Sequence, residues 1–328
     1  MKNFIKKSSR ILIAILLFIL PLSACKKTDG DKISLNEVTH SVFYAPLYVA
    51  IENGYFKEEN MTVTLTNGGG ADKVMTAVLS KNADIGLMGP ETVIYVKSQG
   101  KTDCPAVIGQ LTRCDGAFLL SRKPEPDFKI EDLKGKNILA GRAGGVPAMS
   151  FEYILGELGL KNNVDYELNF GVQFNLMTAA FEGGTGDYCT MFEPTASEYQ
   201  KSGKGYIVAA MGELSGEIPY TSFVALNSYC EKNEKQVKNF LKAVKKGLEY
   251  IKTHTDEEVA EVIKGQFVGT SVESLTASVK SYRGINAWAE NLIPTETGFS
   301  RLQNIMEYAG ELPKRIAFSE LVTTKYLP

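Results

Sequence analysis

The chain has 328 residues, of which 44% are hydrophobic and 23% are charged, and its formal net charge is −2. This composition is that of an ordinary globular protein and excludes a disordered or low-complexity chain. The mild acidity argues against a surface that binds nucleic acid, and the presence of only two histidines argues against a histidine-based metal site. Because about 300 residues exceed the size of a typical single core, two domains are expected.

The first 25 residues have the pattern of an export signal. A basic stretch (1–10) precedes an apolar run (11–22) that is shorter than the ~20 residues needed to span a bilayer. Ser23, Ala24 and Cys25 follow, and this order resembles a bacterial lipoprotein signal, in which Cys25 becomes the acylated N-terminus. An ordinary secreted protein and a single anchor helix are the alternatives. Removing residues 1–24 removes four basic residues and no acidic one, which changes the net charge to −6.

The next residues, 25–32, are polar and predict a flexible tether. Strands and helices then alternate, which favours a mostly parallel α/β sheet. Ten strands are predicted, at 33–38, 61–66, 83–88, 107–111, 117–121, 137–140, 165–172, 188–192, 206–211 and 223–226. A proline-rich charged stretch, 123–127, indicates a boundary after which the pattern restarts, and the last hundred residues are predicted to be mainly helical. No internal sequence repeat is evident.

Loops at the carboxyl ends of the predicted strands are the expected ligand-binding regions of an open α/β sheet. Five such loops occur in two separate blocks, and several are rich in glycine, which lets a ligand approach backbone N–H groups at a helix start. The sequence therefore predicts two lobes with facing loops and a cleft between them. The loops are 39–44, 67–72, 89–92, 141–147 and 193–195.

Several motifs, in order, resemble the substrate-binding proteins of the NMT1/THI5-like class, which covers nitrate, sulfonate, taurine and thiamine-pyrimidine receptors. They are YAPLYVAIENGYF (44–56), KNADIG (81–86), DLKGKNI (132–138), and FEGGTGDY (181–188) followed by Glu193-Pro194. The second motif departs from the family pattern, because lysine or asparagine stands where a glycine is usual.

The resemblance implies a two-lobed, type II periplasmic-binding-protein-like α/β fold with the ligand between the lobes. Lobe 1 is then discontinuous, 33–120 plus 222–328, and lobe 2 is 121–221. It also implies an extracytoplasmic receptor that binds a small solute and docks on an ABC permease. Such a receptor is not an enzyme and needs no cofactor or metal. With Cys25 acylated, such a monomer would be anchored to the bacterial membrane beside its importer.

Twelve residues are candidates for ligand contact: ten lie on or next to these loops, whereas Arg113 is a candidate by its charge and Tyr220 by its place after Pro219, near a crossover. They are His40, Tyr44, Ala45, Gly70, Gly89, Pro90, Glu91, Arg113, Arg142, Gly144, Glu193 and Tyr220. Four have a structural alternative: His40 capping a turn, Arg113 paired with Asp115, Glu193 capping a helix, and Tyr220 packing a hinge.

Aromatic faces mixed with donors and acceptors in this set favour a planar heterocycle, such as a pyrimidine or flavin-type vitamin or precursor. A sulfonate, nitrate or other organic anion is the alternative ligand. Two alternatives of another class are a pyrimidine-processing enzyme with a Cys189–His40 nucleophile pair and a sensory lipoprotein. A Cys104–Cys114 disulfide is a further hypothesis that the spacing supports weakly.

Overall fold

The computed structural model describes residues 30–328. The predicted signal, Cys25 and most of the predicted tether therefore lie outside the described residues. Among the described residues, no helix is both long enough and apolar enough to cross a membrane.

Strands and helices alternate along the described chain, as the sequence predicts. The strands are β1 (Asp31–Glu37), β2 (Met61–Asn67), β3 (Ile85–Met88), β4 (Pro105–Thr112), β5 (Phe118–Ser121), β6 (Asn137–Leu139), β7 (Glu167–Leu168), β8 (Tyr188–Met191), β9 (Tyr206–Ala210) and β10 (Thr221–Leu226). The α-helices are α1 (Ala45–Glu52), α2 (Tyr55–Glu58), α3 (Ala71–Leu79), α4 (Glu91–Ser98), α5 (Val146–Glu157), α6 (Met177–Glu182), α7 (Thr195–Lys201), α8 (Met211–Ser215), α9 (Asn227–Lys232), α10 (Glu234–Thr253), α11 (Asp256–Ile263), α12 (Val272–Gly284), α13 (Glu296–Tyr308) and α14 (Phe318–Leu321).

Two five-stranded sheets form the centres of two lobes, in the strand orders β2-β1-β3-β10-β4 and β7-β6-β8-β5-β9. This confirms the predicted two-lobed α/β fold. The sheets are mixed, however, rather than mostly parallel. In the first sheet β1 pairs in parallel with β2 and β3, whereas β10 runs antiparallel to β3 and β4. In the second sheet β6 pairs in parallel with β7 and β8, whereas β5 runs antiparallel to β8 and β9.

The antiparallel strands are the two that enter a sheet from the other lobe. The chain leaves the first sheet after β4 and begins β5 in the second, and it returns after β9 to begin β10. The two connecting segments, 113–117 and 216–220, run side by side, since the Ile218 N–H donates to the Arg113 carbonyl (2.9 Å) and the Tyr220 N–H donates to that of Thr112 (3.3 Å). We call this paired region the crossover.

The helices after β10 pack mainly on the first lobe, and α12 and α13 also contact α7 and α5 of the second lobe. The longest, α10, has its apolar residues at helical spacing and buries Phe240, Leu241, Val244 and Leu248 against the core. It packs against α1, where Gly247 allows close approach to the backbone of Pro46.

Two local expectations and the weakly supported disulfide hypothesis differ from the structure. Asp31 and Lys32, at the end of the predicted tether, already belong to β1. Cys104 and Cys114 are free thiols, and their Sγ atoms donate to the carbonyls of Lys101 (2.9 Å) and Ile285 (3.5 Å). The predicted strand 165–172 is reduced to the two residues of β7, because the Asn169 side chain accepts the Gly171 N–H (2.9 Å) and turns the chain.

Candidate ligand-binding cleft

A cavity with an empty volume of about 510 Å³ lies where the loops of the two lobes face each other. Its walls come from the strand–helix loops of both sheets and from the crossover. The lining residues are Val38, Thr39, Tyr44, Gly70, Ala71, Gly89, Glu91, Arg142, Gly145, Val146, Pro147, Phe174, Phe192, Tyr220 and Thr221.

Glu91 is the most unusual residue of this wall, because it is an acidic residue that is only 1% exposed. It is the first residue of α4, and its side chain fills the space that a side chain at Gly89 would need. Burial raises the pKa of Glu91 to about 7, although the charge of Arg142 and the N–H groups of Val146 and Thr92 favour the ionised form. Because Val146 is the first residue of α5, the starts of one helix from each lobe lie beside this carboxylate.

Aromatic rings form much of the rest of the wall. The centroids of Phe174 and Phe192 are 6.2 Å apart in an edge-on arrangement, and the centroid of Phe192 is 6.5 Å from that of Tyr220. The Phe43 ring lies behind them, and its centroid is 5.6 Å from that of Phe192 and 5.7 Å from that of Tyr44. The wall thus offers ring faces and edges of the kind that suit a planar ligand.

Tyr220 adds a polar group to this aromatic wall. Its hydroxyl is buried and, within the described part of the chain, makes no hydrogen bond of good geometry, although the Asp115 carboxylate acts on it. Burial and the neighbouring Asp115 carboxylate hold the pKa of Tyr220 well above its usual value, so the hydroxyl stays protonated. Tyr44 is also buried, and burial raises the pKa of its hydroxyl.

Arg142 stands at the edge of the cavity, on the loop before α5. Its Nε lies 3.4 Å from Asp72 Oδ1 of α3, so this pair joins the two lobes. Because the Arg142 side chain is 32% exposed and that of Asp72 is 57% exposed, the pair contributes little to stability.

A second, more open cavity of about 780 Å³ adjoins the first and shares Val38, Thr39, Phe174 and Phe192 with it. His40 and Glu193 lie in its lining. Glu193 caps α7, because its carboxylate accepts from the N–H (3.0 Å) and hydroxyl (2.7 Å) of Ser197.

His40 is held on both sides by protein groups. Its Nδ1 is 2.7 Å from Glu37 Oε1, and its Nε2 is 2.9 Å from the Gln266 carbonyl. Burial disfavours the charged ring, but the hydrogen bond and charge of Glu37 outweigh that effect and raise the pKa of His40.

The structure brings six of the twelve candidates together in the first cavity and places the others elsewhere. The six are Tyr44, Gly70, Gly89, Glu91, Arg142 and Tyr220, whereas Ala45, Pro90, Arg113 and Gly144 line neither cavity. Gly144 lies beside the cleft, where its carbonyl accepts from the Tyr95 hydroxyl (2.9 Å). Ala45 and Pro90 are buried at the starts of α1 and α4.

Arg113 braces the crossover instead of facing the cleft. Its guanidinium pairs with Glu217 (2.6 Å) and Glu290 (3.0 Å), not with Asp115 as the sequence suggested. The Asp115 carboxylate points inward, where it accepts from the Ser150 hydroxyl (2.5 Å) and the Ala117 N–H (2.8 Å).

Sequence reasoning missed the two phenylalanines of the wall. The predicted strand 188–192 includes Phe192, but β8 ends at Met191 and leaves Phe192 facing the cleft. Phe174 begins a 3₁₀ helix, Phe174–Leu176, in a stretch where no element was predicted. In the sequence, the one indication that Phe192 lines the cleft is its position next to the Glu193-Pro194 motif.

The Cys189 thiol is not placed to act as a catalytic nucleophile. This thiol is fully buried, burial raises its pKa, and the Sγ donates to the Thr190 carbonyl (3.5 Å). In the described range 30–328, no cluster of three or more His, Cys, Asp or Glu side chains is placed to hold a metal ion.

The chain matches the model of the family described as NMT1/THI5 like over residues 42–258. It belongs to this family. A Bacillus subtilis protein named "Putative binding protein YtlA" is 41% identical over 302 residues, which are 92% of this chain and 90% of that protein. A 4-amino-5-hydroxymethyl-2-methylpyrimidine phosphate synthase of Candida albicans is 23% identical over 287 residues, covering 83% of this chain and 81% of the synthase.

Among solved structures, the fold matches the alkanesulfonate-binding protein SsuA from Xanthomonas axonopodis pv. citri bound to MOPS. The TM-score is 0.72, the identity is 14%, and the match covers 90% of this chain and 99% of SsuA. At this identity the likeness shows a shared fold and leaves the ligand of this chain to be argued from its own residues.

Proposed function

We propose that this NMT1/THI5 like protein is the extracytoplasmic solute receptor of an ABC importer and that it binds a small planar heterocycle between its lobes. The observation that carries the proposal is the aromatic cavity whose walls come from both lobes and the crossover. A ligand that contacts both lobes stabilises their closed arrangement, which is how a two-lobed receptor signals occupancy.

The composition of the wall favours a heterocycle over a purely charged ligand. Phe174, Phe192 and Tyr220 supply ring surfaces, while Glu91 and the Tyr220 hydroxyl supply a small number of polar contacts. Sites for small organic molecules have this mixture of apolar area and few placed polar groups. A vitamin or precursor of pyrimidine or flavin type fits this chemistry.

Anion binding is the second candidate, and a specific observation favours it. The starts of α4 and α5 and the side chain of Arg142 lie at the same wall, and helix N-termini attract negative charge. The Glu91 carboxylate already lies beside those helix starts, so an anionic ligand would meet a buried acidic group there.

The Candida albicans synthase is the observation that favours an enzyme, but the residues of this chain do not support that activity. The burial of Cys189 and the hydrogen bonds that hold His40 remove the nucleophile pair suggested by the sequence. We therefore propose binding without turnover.

Calorimetry of the purified protein tests the ligand proposal. We expect tight binding of a pyrimidine or flavin-type compound and weak binding of taurine and other alkanesulfonates. The reverse order would support the anion receptor, and conversion of a bound pyrimidine would support the enzyme.

We propose further that Cys25 is acylated and that residues 26–30 tether the binding body to the membrane. Confinement beside the permease raises the local concentration of the receptor. A Cys25→Ser substitution is expected to release the protein from the membrane fraction and to reduce solute uptake in the native host. Unchanged uptake would contradict this role for the anchor.

A further inference from the structure

Two buried polar atoms of the cavity wall make no hydrogen bond of good geometry within the described residues: Glu91 Oε2 and the Tyr220 hydroxyl oxygen, on which the Asp115 carboxylate acts only from outside that geometry. Both residues line the cavity, and both are at most 5% exposed. A buried polar atom without a hydrogen bond is costly, and such atoms are rare in folded proteins. Their presence on one wall indicates that a bound ligand completes their hydrogen bonds.

The chemistry of Glu91 decides what such a ligand must offer. An ionised carboxylate only accepts hydrogen bonds, so Oε2 needs an N–H or O–H donor or a positive charge. We infer that Glu91 is the specificity-determining residue of the cleft and that it selects a heterocycle presenting an N–H donor or a protonated ring nitrogen. This inference rests on the proposed function and names the ligand class of the same site.

The N–H groups of Val146 and Thr92 act on the Glu91 carboxylate, but Oε2 itself has no hydrogen-bond partner within the described residues. Arg142 is the one cation that acts on Glu91, but its Nε is directed at Asp72 (3.4 Å) and its Nη1 donates to the Ala143 carbonyl (3.1 Å). The other titratable groups that interact with Glu91 are the hydroxyls of Tyr44, Tyr95 and Tyr220, and these stay neutral because burial raises the pKa of each.

The position of Glu91 also explains why an anion is disfavoured. Its carboxylate lies beside the starts of α4 and α5, where an anionic group of a ligand would be most favourable. A sulfonate entering the cavity would therefore compete with a carboxylate that the protein itself supplies. Tyr220, with both a donor and an acceptor, can complete a second hydrogen bond to the same planar ligand.

A matched pair of ligands and a matched pair of variants test the inference by calorimetry at pH 8. The probes are 4-amino-5-hydroxymethyl-2-methylpyrimidine and its 4-methoxy analogue, which lacks the amino N–H, with taurine as the anion. The variants are Glu91→Gln, which keeps the shape and removes the charge, and Glu257→Gln, which removes a charge from the exposed first turn of α11. Thermal denaturation establishes that each variant is folded.

The inference predicts that the wild type binds the amino compound at least 10-fold more tightly than the methoxy compound. Glu91→Gln should weaken the amino compound at least 10-fold and abolish the preference, whereas Glu257→Gln should change neither. Equal binding of the amino compound by wild type and Glu91→Gln would overturn the inference and leave the receptor function standing. Tighter binding of taurine, improved by Glu91→Gln, would overturn it as well.

If no probe binds, mass spectrometry of solute released from the protein purified from its host decides the matter. A released heterocycle with an N–H donor or a basic ring nitrogen supports the inference, and a released anion without a donor overturns it. If no solute of any class is released or bound, the proposed function itself fails.

Discussion

Glu91 shows how a single residue links ligand selection to stability. A buried carboxylate whose pKa is raised from 4.5 to about 7 is harder to ionise in the folded protein than in the unfolded chain. The folded state therefore binds the proton of the Glu91 carboxyl group more tightly than the unfolded chain does. The stability that this difference contributes is fully present below pH 4.5 and is lost as the pH rises through 7. A pKa difference of this size corresponds to about 3 kcal/mol.

We therefore predict that Glu91→Gln raises the stability of the ligand-free protein at pH 8, by up to about 3 kcal/mol, because no buried charge has to form. The gain in the free energy of unfolding, relative to wild type, should disappear as the pH falls from 7 toward 4.5. Urea denaturation of both proteins between pH 4.5 and 8 measures this difference. A gain independent of pH would contradict the titration of Glu91, and Glu257→Gln serves as the exposed control.

The sequence predicted which loops face the cleft better than it predicted which side chains do. The strand ends and glycine-rich loops identified Tyr44, Glu91 and Arg142, which line the cavity. Arg113 lies outside these loops, on the crossover, and its guanidinium extends to Glu217 and Glu290. Side-chain direction depends on partners that are distant in the sequence, such as Glu290, and a local pattern does not contain that information.

At the level of elements, the two sheets have the same arrangement although the sequence has no evident repeat. Each sheet begins with three parallel strands, and the middle one of these comes first in the chain. Next to them lies the strand that arrives from the other lobe, and an edge strand completes the sheet. Hydrophobic alternation predicts the individual strands, because it depends on local burial. The orientation of β5 and β10 depends on the path of the crossover, and so the mixed character of the sheets could not be predicted.

The contact between α1 and α10 gives a prediction at this scale. A Cβ at Gly247 would collide with the carbonyl of Pro46, which is backbone and cannot rotate away. We expect Gly247→Ala to force the two helices apart and to destabilise the protein by about 1–3 kcal/mol, despite the better helix propensity of alanine. Thermal or urea denaturation measures the loss.

Gly284→Ala is the matched control, because it makes the same change at the end of α12, where an added Cβ meets nothing within 4 Å. This variant should be neutral or slightly more stable than the wild type. Equal stability of the two variants would show that the close approach of α1 and α10 is not a constraint.

At the scale of the whole molecule, the two lobes not only line the cavity together but also make direct hydrogen bonds beside it. The Tyr95 hydroxyl on α4 donates to the Gly144 carbonyl on the loop before α5 (2.9 Å). The Ser41 hydroxyl after β1 donates to the Glu193 carbonyl after β8 (2.5 Å). Contacts of this kind exist only while the lobes are together, so they add to the affinity for any ligand that requires closure.

We therefore predict that Tyr95→Phe weakens ligand binding although Tyr95 lines neither cavity. Loss of one interlobe hydrogen bond, worth about 0.5–1.5 kcal/mol, should lower the affinity roughly 2- to 10-fold. The change should appear mainly as faster dissociation, because the bond forms after the ligand has entered. Stopped-flow binding to wild type, Tyr95→Phe and the control Tyr206→Phe, which alters β9 outside the lining of the cleft, separates the rates. A slower association with unchanged dissociation would mean that this bond forms before the ligand binds and is not part of closure.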